Sequence, residues 1–210
     1  MSKNISITFN DVFVTRLFTF NLELSEHHPA WLDYIAQRQA SEPVTEKMNR
    51  SNYNGWKTPF DLFDEPLFAP LQRLSKQCFQ YVFEQHQQQA QAEHFDVQGS
   101  VNLSHPQAFN YQHGHAMSLY SGVYYLTVPE NSGDIVFHEP RPAAKYSRLQ
   151  ADGCRFGSGD VHIAPKAGQL VLFPCWLEHS VLPNESDQTR ISIPMNAMER
   201  TLSPVLPKKN

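Results

Sequence analysis

Apolar and polar positions follow a helical spacing early in the chain and a strand spacing later. Leu67, Leu71, Leu74, Cys78, Tyr81 and Val82 recur mostly three or four residues apart, which predicts an amphipathic helix running into the polar segment Gln85–Gln91. A shorter helix is predicted over Pro29–Gln39, with Trp31, Leu32, Tyr34 and Ile35 as its apolar face. Thr45–Pro66, rich in Asn, Asp, Gly and Pro, reads as loop. After about residue 95 come short β-rich runs bounded by turn residues: Asp96–Leu103, Ser118–Thr127, Asp134–His138, Val161–Ile163, Gln169–Phe173 and Thr189–Pro194. Close-set strands without helices between them predict antiparallel sheets in a sandwich or jelly roll. The expectation is one β-rich α+β domain over 1–210: helical support and loop to 95, a jelly-roll core over 96–197, and a tail from 198.

Charge and composition narrow the partners. The 210 residues carry 17 Lys and Arg against 21 Asp and Glu, a formal net charge of −4, with no basic stripe for nucleic acid or an anionic membrane. No segment reaches the length of an apolar membrane helix, and the first residues lack a signal-peptide run. Three widely spaced cysteines, Cys78, Cys154 and Cys175, suggest free thiols in a reducing compartment. A cytoplasmic protein with a small-molecule or peptide substrate is expected, and the N-terminal helices either cover the sheet or form the interface of a homodimer.

The chemistry concentrates in Gln112-His113-Gly114-His115, then His179, then Arg190-Ile191-Ser192. Side chains at i and i+2 of a strand share a face, so His113 and His115 can present two imidazoles together. With a third from His179 they suit a facially coordinated iron or zinc. Arg190, on the same strand face as Ser192, has the planar fork that takes a carboxylate bidentately, and can hold an anionic co-substrate beside the metal. These features point to an iron-dependent oxygenase. Taken singly, each residue also has a plain structural role: surface histidines, a satisfied core histidine, an internal salt bridge.

In this order the segments resemble the 2-oxoglutarate/Fe(II) oxygenases with a prolyl-hydroxylase-like double-stranded β-helix. The likeness runs from Ser51-Asn52-Tyr53-Asn54-Gly55-Trp56 through His113-Gly114-His115, Ser121-Gly122-Val123-Tyr124-Tyr125-Leu126 and Phe173-Pro174-Cys175-Trp176-Leu177-Glu178-His179 to Arg190-Ile191-Ser192-Ile193. It implies Fe(II) and 2-oxoglutarate as cofactors and O2 as a reactant. His113 and His179 match the first and last metal ligands, Arg190 and Ser192 the clamp on the distal carboxylate, and Tyr125 a further donor to it. The reaction implied is hydroxylation of a C–H bond with release of succinate and CO2. Position 115 departs from the wider pattern, which has a carboxylate there; either His115 completes the metal set or a carboxylate such as Glu139 does. Two other readings stay open: a three-histidine cupin-like metal enzyme that does not use 2-oxoglutarate, and an inactive jelly-roll binding module. Asn102 and Asn110 read first as turn or strand-end residues, with the mouth of the site as the alternative; Trp56 and Trp176 read first as packing, with a lid over the pocket as the alternative for Trp56. His27, His28, His86, His94 and His105 read as surface residues, while His138 and His162 fall on predicted strands.

Overall fold

Runs rich in Val, Ile, Leu, Phe and Tyr pair into one curled antiparallel sheet in the computed structural model, which describes residues 6–42, 51–86, 94–146 and 159–200. Its strands are β1 (Phe18–Asn21), β2 (Asn52–Lys57), β3 (Phe95–Gly99), β4 (Asn102–His113), β5 (Tyr120–Thr127), β6 (Ile135–Phe137), β7 (Val161–Ile163), β8 (Gln169–Pro174), β9 (His179–Val181) and β10 (Arg190–Glu199). They follow the order β1-β8-β5-β10-β4-β9-β6-β7, with β2 also on β4 and β3 also on β10.

Strand β4 makes the roll. Its first residues, Asn102 to Ser104, pair with β10, and its last, Asn110 and His113, pair with β9. Between them Gln107 takes a positive φ of 68°. Its N–H donates to the Asn184 carbonyl at 2.7 Å, and the Asn184 N–H donates to the Ala108 carbonyl at 2.9 Å. The register against β2 jumps at the same place, from Tyr53↔Phe109 to Gly55↔Ser104. Such an irregularity bends and twists a strand, so the wall β1-β8-β5-β10 folds over toward the wall β9-β6-β7. The result is the jelly roll predicted from the strand spacing.

Two helices cover the outer face of the larger wall: α1 (His28–Ser41) and α2 (Ala69–Gln85), each with a proline in its first turn, where the missing N–H costs no helical bond. Trp31 of α1 is fully buried, stacks on Phe68 at 5.3 Å and donates its indole N–H to the Leu67 carbonyl at 3.0 Å. Leu71, Cys78, Phe79, Val82 and Phe83 form the inward stripe of α2. A smaller apolar cluster, Tyr125, Ile135, Phe137, Val171, Phe173 and Leu177, fills the inside of the roll. Among the described residues no helix is long and apolar enough to cross a membrane.

The strand pattern corrects several sequence expectations. The stretch read as loop over 45–66 contains β2, while Trp56 on it is buried with its N–H on the Glu42 carbonyl at 3.1 Å, in keeping with the packing reading and not with a lid. The single run 96–103 is two strands, β3 and β4, and β4 continues through Pro106 to His113. The final strand passes Pro194, which lacks an N–H but gives its carbonyl to Ser100 N–H at 3.0 Å. His162 is exposed, whereas His28 is half-buried with its ring nitrogen 2.8 Å from the Tyr124 hydroxyl. Cys78 and Cys175 are free thiols; Cys154 and 87–91 lie outside the described residues.

Candidate metal centre and co-substrate pocket

His113 is the last residue of β4 and His179 the first of β9, and the two are direct cross-strand partners. Opposed residues of an antiparallel pair share a face at short range, which brings these ring centroids to 4.4 Å. His115 arrives differently from the sequence expectation. The strand ends at His113, so the two-residue period does not carry His115 to its place. A turn does: the His115 N–H donates to the Cys175 carbonyl at 2.9 Å, docking it on the segment between β8 and β9. Its ring then lies parallel to that of His179, with centroids 5.1 Å apart and planes within 2°.

One nitrogen from each of the three rings lies within 4.8 Å of the others. The far nitrogens are tied back: His113 Nδ1 is 2.7 Å from the Tyr111 carbonyl and His179 Nδ1 is 3.1 Å from the Leu177 carbonyl. A carbonyl can only accept, so each Nδ1 carries the proton and each Nε2 keeps its lone pair. The Nε2 atoms of His115 and His179 stand 3.4 Å apart. Burial is the largest cause that keeps these rings neutral. It lowers His113, pulls His115 down to about 4 with help from His113 and Lys57, and pulls His179 down to about 3 with help from His113. Neutral imidazoles with converging lone pairs are the form that binds a metal, so these residues fit a divalent ion.

Glu139 stands apart from this group. Its carboxylate accepts from Arg141 Nε at 2.8 Å and Arg141 Nη2 at 2.7 Å, which lowers its pKa, and it does not line the pocket. On the strand face turned away from the rings, His138 bridges β6, β7 and β9. Its nitrogens lie 2.8 Å from Asp160 Oδ2 and 2.9 Å from Ser180 Oγ.

Beside the imidazoles a pocket is lined by Tyr125 and Val123 of β5, Arg190 and Ser192 of β10, Asn102 and Asn110 of β4, and Lys57 of β2. Arg190 is 2 % exposed. Its Nη1 donates to the Ser132 carbonyl at 2.7 Å and the Gly133 carbonyl at 2.9 Å, and its Nη2 donates to Ser104 Oγ at 3.0 Å. These bonds fix the fork in place, and its Nε–H remains buried without an acceptor. An unmet donor on a buried cation is expensive unless a ligand supplies the acceptor. Ser192 and Tyr125 are direct cross-strand partners next to it, and neither side chain bonds another described residue. Burial pushes the Tyr125 phenol up, keeping it a donor. A carboxylate therefore fits here, with three kinds of donor around it.

The sequence reading singled out eight of these residues, the three histidines with Arg190, Ser192, Tyr125, Asn102 and Asn110, and missed Lys57. Lys57 follows Gly55-Trp56 in a segment read as loop, where no period marks its direction; only pairing with β4 aims it into the pocket. Asn102 and Asn110 do line the mouth.

A family model described as "Putative 2OG-Fe(II) oxygenase" matches residues 100–196, from just before β4 nearly to the end of β10. No curated protein matches the sequence. Several solved structures share the fold. A prolyl-4-hydroxylase from Pseudomonas putida is 17 % identical with a TM-score of 0.64, covering 89 % of this chain and 94 % of its own. An oxidoreductase of the 2OG-Fe(II) oxygenase family from Burkholderia pseudomallei is 15 % identical with a TM-score of 0.58, covering 88 % of both chains. HygX from Streptomyces hygroscopicus, crystallised with nickel and 2-oxoglutarate, is 12 % identical with a TM-score of 0.60, covering 88 % of this chain and 83 % of its own. Residues 100–196, the β-core, are thus similar to the 2OG-Fe(II) oxygenases, and the fold of the whole chain is the one these solved structures share.

Proposed function

We propose that this protein is a 2-oxoglutarate- and Fe(II)-dependent dioxygenase that hydroxylates a C–H bond of its substrate. The observation that carries the reading is the pairing of three converging neutral imidazoles with the buried, unsatisfied Nε–H of Arg190 in one pocket. His113, His115 and His179 would hold the metal. Arg190, Ser192 and Tyr125 would hold the distal carboxylate of 2-oxoglutarate. When bound, the iron would activate O2, the oxidant, with two of the four electrons it needs coming from 2-oxoglutarate, which leaves as succinate and CO2, and two from the substrate C–H bond. The side chains described here act by position. The Tyr111 and Leu177 carbonyls hold two ligand tautomers, Ser104 and the 132–133 carbonyls hold the guanidinium, and Phe137, Phe173 and Val181 dry the wall behind the rings. Exclusion of water strengthens every charge interaction in such a site.

The test is uncoupled turnover. Protein loaded with Fe(II) should release succinate from 2-oxoglutarate in air, His179→Ala should abolish it, and Tyr125→Phe should raise the KM for 2-oxoglutarate. A second reading has one observation in its favour: of the five donors of a guanidinium, three are already spent on Ser132, Gly133 and Ser104. On that reading Arg190 is structural and the three histidines serve O2 chemistry without 2-oxoglutarate. O2 consumption that is independent of added 2-oxoglutarate would select it.

A further inference from the structure

The proposed machinery leaves one charged side chain in the pocket unused. Lys57 lies on β2 directly opposite Asn102 of β4, and Asn102 lies opposite Ser192 of β10. Lys57, Asn102, Ser192 and Tyr125 thus form a polar row across four adjacent strands, all lining the pocket. Strand spacing puts the backbone of Lys57 about 10 Å from that of Ser192. The two cations of the pocket therefore rise from separate stretches of its wall.

Lys57 is half-buried, its charge is felt at both His113 and His115, and its ammonium has no carboxylate partner among the described residues. Its Nζ stands over the Phe60 ring, 5.0 Å from the centroid. Asn102 prepares a second donor beside it. Its Oδ1 accepts from Asn52 Nδ2 at 2.7 Å, which leaves the Asn102 Nδ2 hydrogens for the pocket. Among the described lining residues there is no Asp or Glu.

Charge balance then restricts what can enter. Neutral imidazoles add no charge to a divalent metal, and Arg190 and Lys57 add two positive charges. A dianionic co-substrate offsets only two of the four. In a pocket with little water an unbalanced cation is costly, and the remaining excess faces the β2–β4 wall.

We propose that Lys57 and Asn102 form an anion subsite for the primary substrate, which therefore bears a carboxylate or a group of similar charge such as a phosphate monoester. This rests on the oxygenase reading for the identity of the co-substrate, but the subsite itself can be tested without turnover.

The experiment uses Mn(II)-loaded protein with 2-oxoglutarate at saturation, and reads binding of acetate, and separately of methyl phosphate, from the paramagnetic relaxation of probe nuclei. Wild type should give saturable enhancement with at least one probe, and the tighter of the two names the class of anion. Lys57→Met should weaken that binding at least tenfold, Lys57→Arg should retain it, and both should bind 2-oxoglutarate within about twofold of wild type. Equal probe binding in Lys57→Met, or no saturable binding in wild type, overturns the proposal. So does a loss of 2-oxoglutarate affinity in Lys57→Met, which would put the lysine in the co-substrate site. Failure of wild type to bind 2-oxoglutarate defeats the oxygenase reading instead, and the probe titration without it still decides whether Lys57 binds an anion. Thermal melts of both variants show whether the fold is kept.

Discussion

Replacing His179 or His115 by glutamine should make protein stripped of metal by a chelator less sensitive to acid. In the folded chain these rings resist protonation, at about 3 for His179 and about 4 for His115 against an ordinary 6.5, chiefly because they are buried. The unfolded chain takes up protons at these positions as pH falls below 6.5, while the folded chain does not until much lower. Their depressed values therefore leave stability intact above pH 6.5 and remove it progressively as pH falls toward 4 and 3. At pH 5 the unfolded form is favoured by RT ln(1 + 10^1.5), about 2 kcal/mol for each ring. Urea unfolding of metal-free protein at pH 8 and pH 5 measures the drop. Glutamine does not titrate, so each single variant should show a drop about 2 kcal/mol smaller than wild type. Taking this difference between proteins cancels other acid-sensitive groups. Drops that agree within about 0.5 kcal/mol would refute the claim that burial holds these imidazoles neutral.

Three further outcomes follow from the packing. Arg190→Ala should lower stability by roughly 3–5 kcal/mol in urea melts, because it strands the Ser132 and Gly133 carbonyls and removes three bonds from a charged donor; Arg190→Lys is thus the better variant for binding studies. Gly55→Ala should cost about 1–3 kcal/mol, since a Cβ there meets the Asn52 side chain and lies 2.6 Å from the Leu103 carbonyl, and its denaturation midpoint should fall accordingly. Trp31→Ala should cost roughly 3–5 kcal/mol by opening a cavity between α1 and Phe68, with metal binding preserved if the fold survives.

The roll was legible where side chains alternate or fill a short run, as in β5, β6 and β8, and both helices showed in the spacing of Trp31 and Ile35, and of Leu71, Cys78 and Val82. What stayed hidden depends on pairing rather than on local pattern. Asn52–Lys57 contains Asn, Gly and two further polar residues, and becomes a strand only because β4 offers it an edge. Pro106 and the positive φ of Gln107 disguise the middle of β4, where tertiary bonds to Asn184 replace the ladder. The same holds for the site. His113 and His179 could be read from motif, but the place of His115 comes from a backbone bond to Cys175, and Lys57 carries no signal until its strand partner is known.

The most direct test of the central claim is an anaerobic titration of Fe(II)-loaded protein with 2-oxoglutarate, followed by visible absorption. Binding of the 2-oxo acid to iron at His113, His115 and His179, with its far carboxylate on Arg190, should give a weak metal-to-ligand charge-transfer band that saturates at one equivalent. In Arg190→Lys the band should need more 2-oxoglutarate to reach the same height. Iron bound at one per chain with no such band would contradict the account and leave a three-histidine centre that works without 2-oxoglutarate.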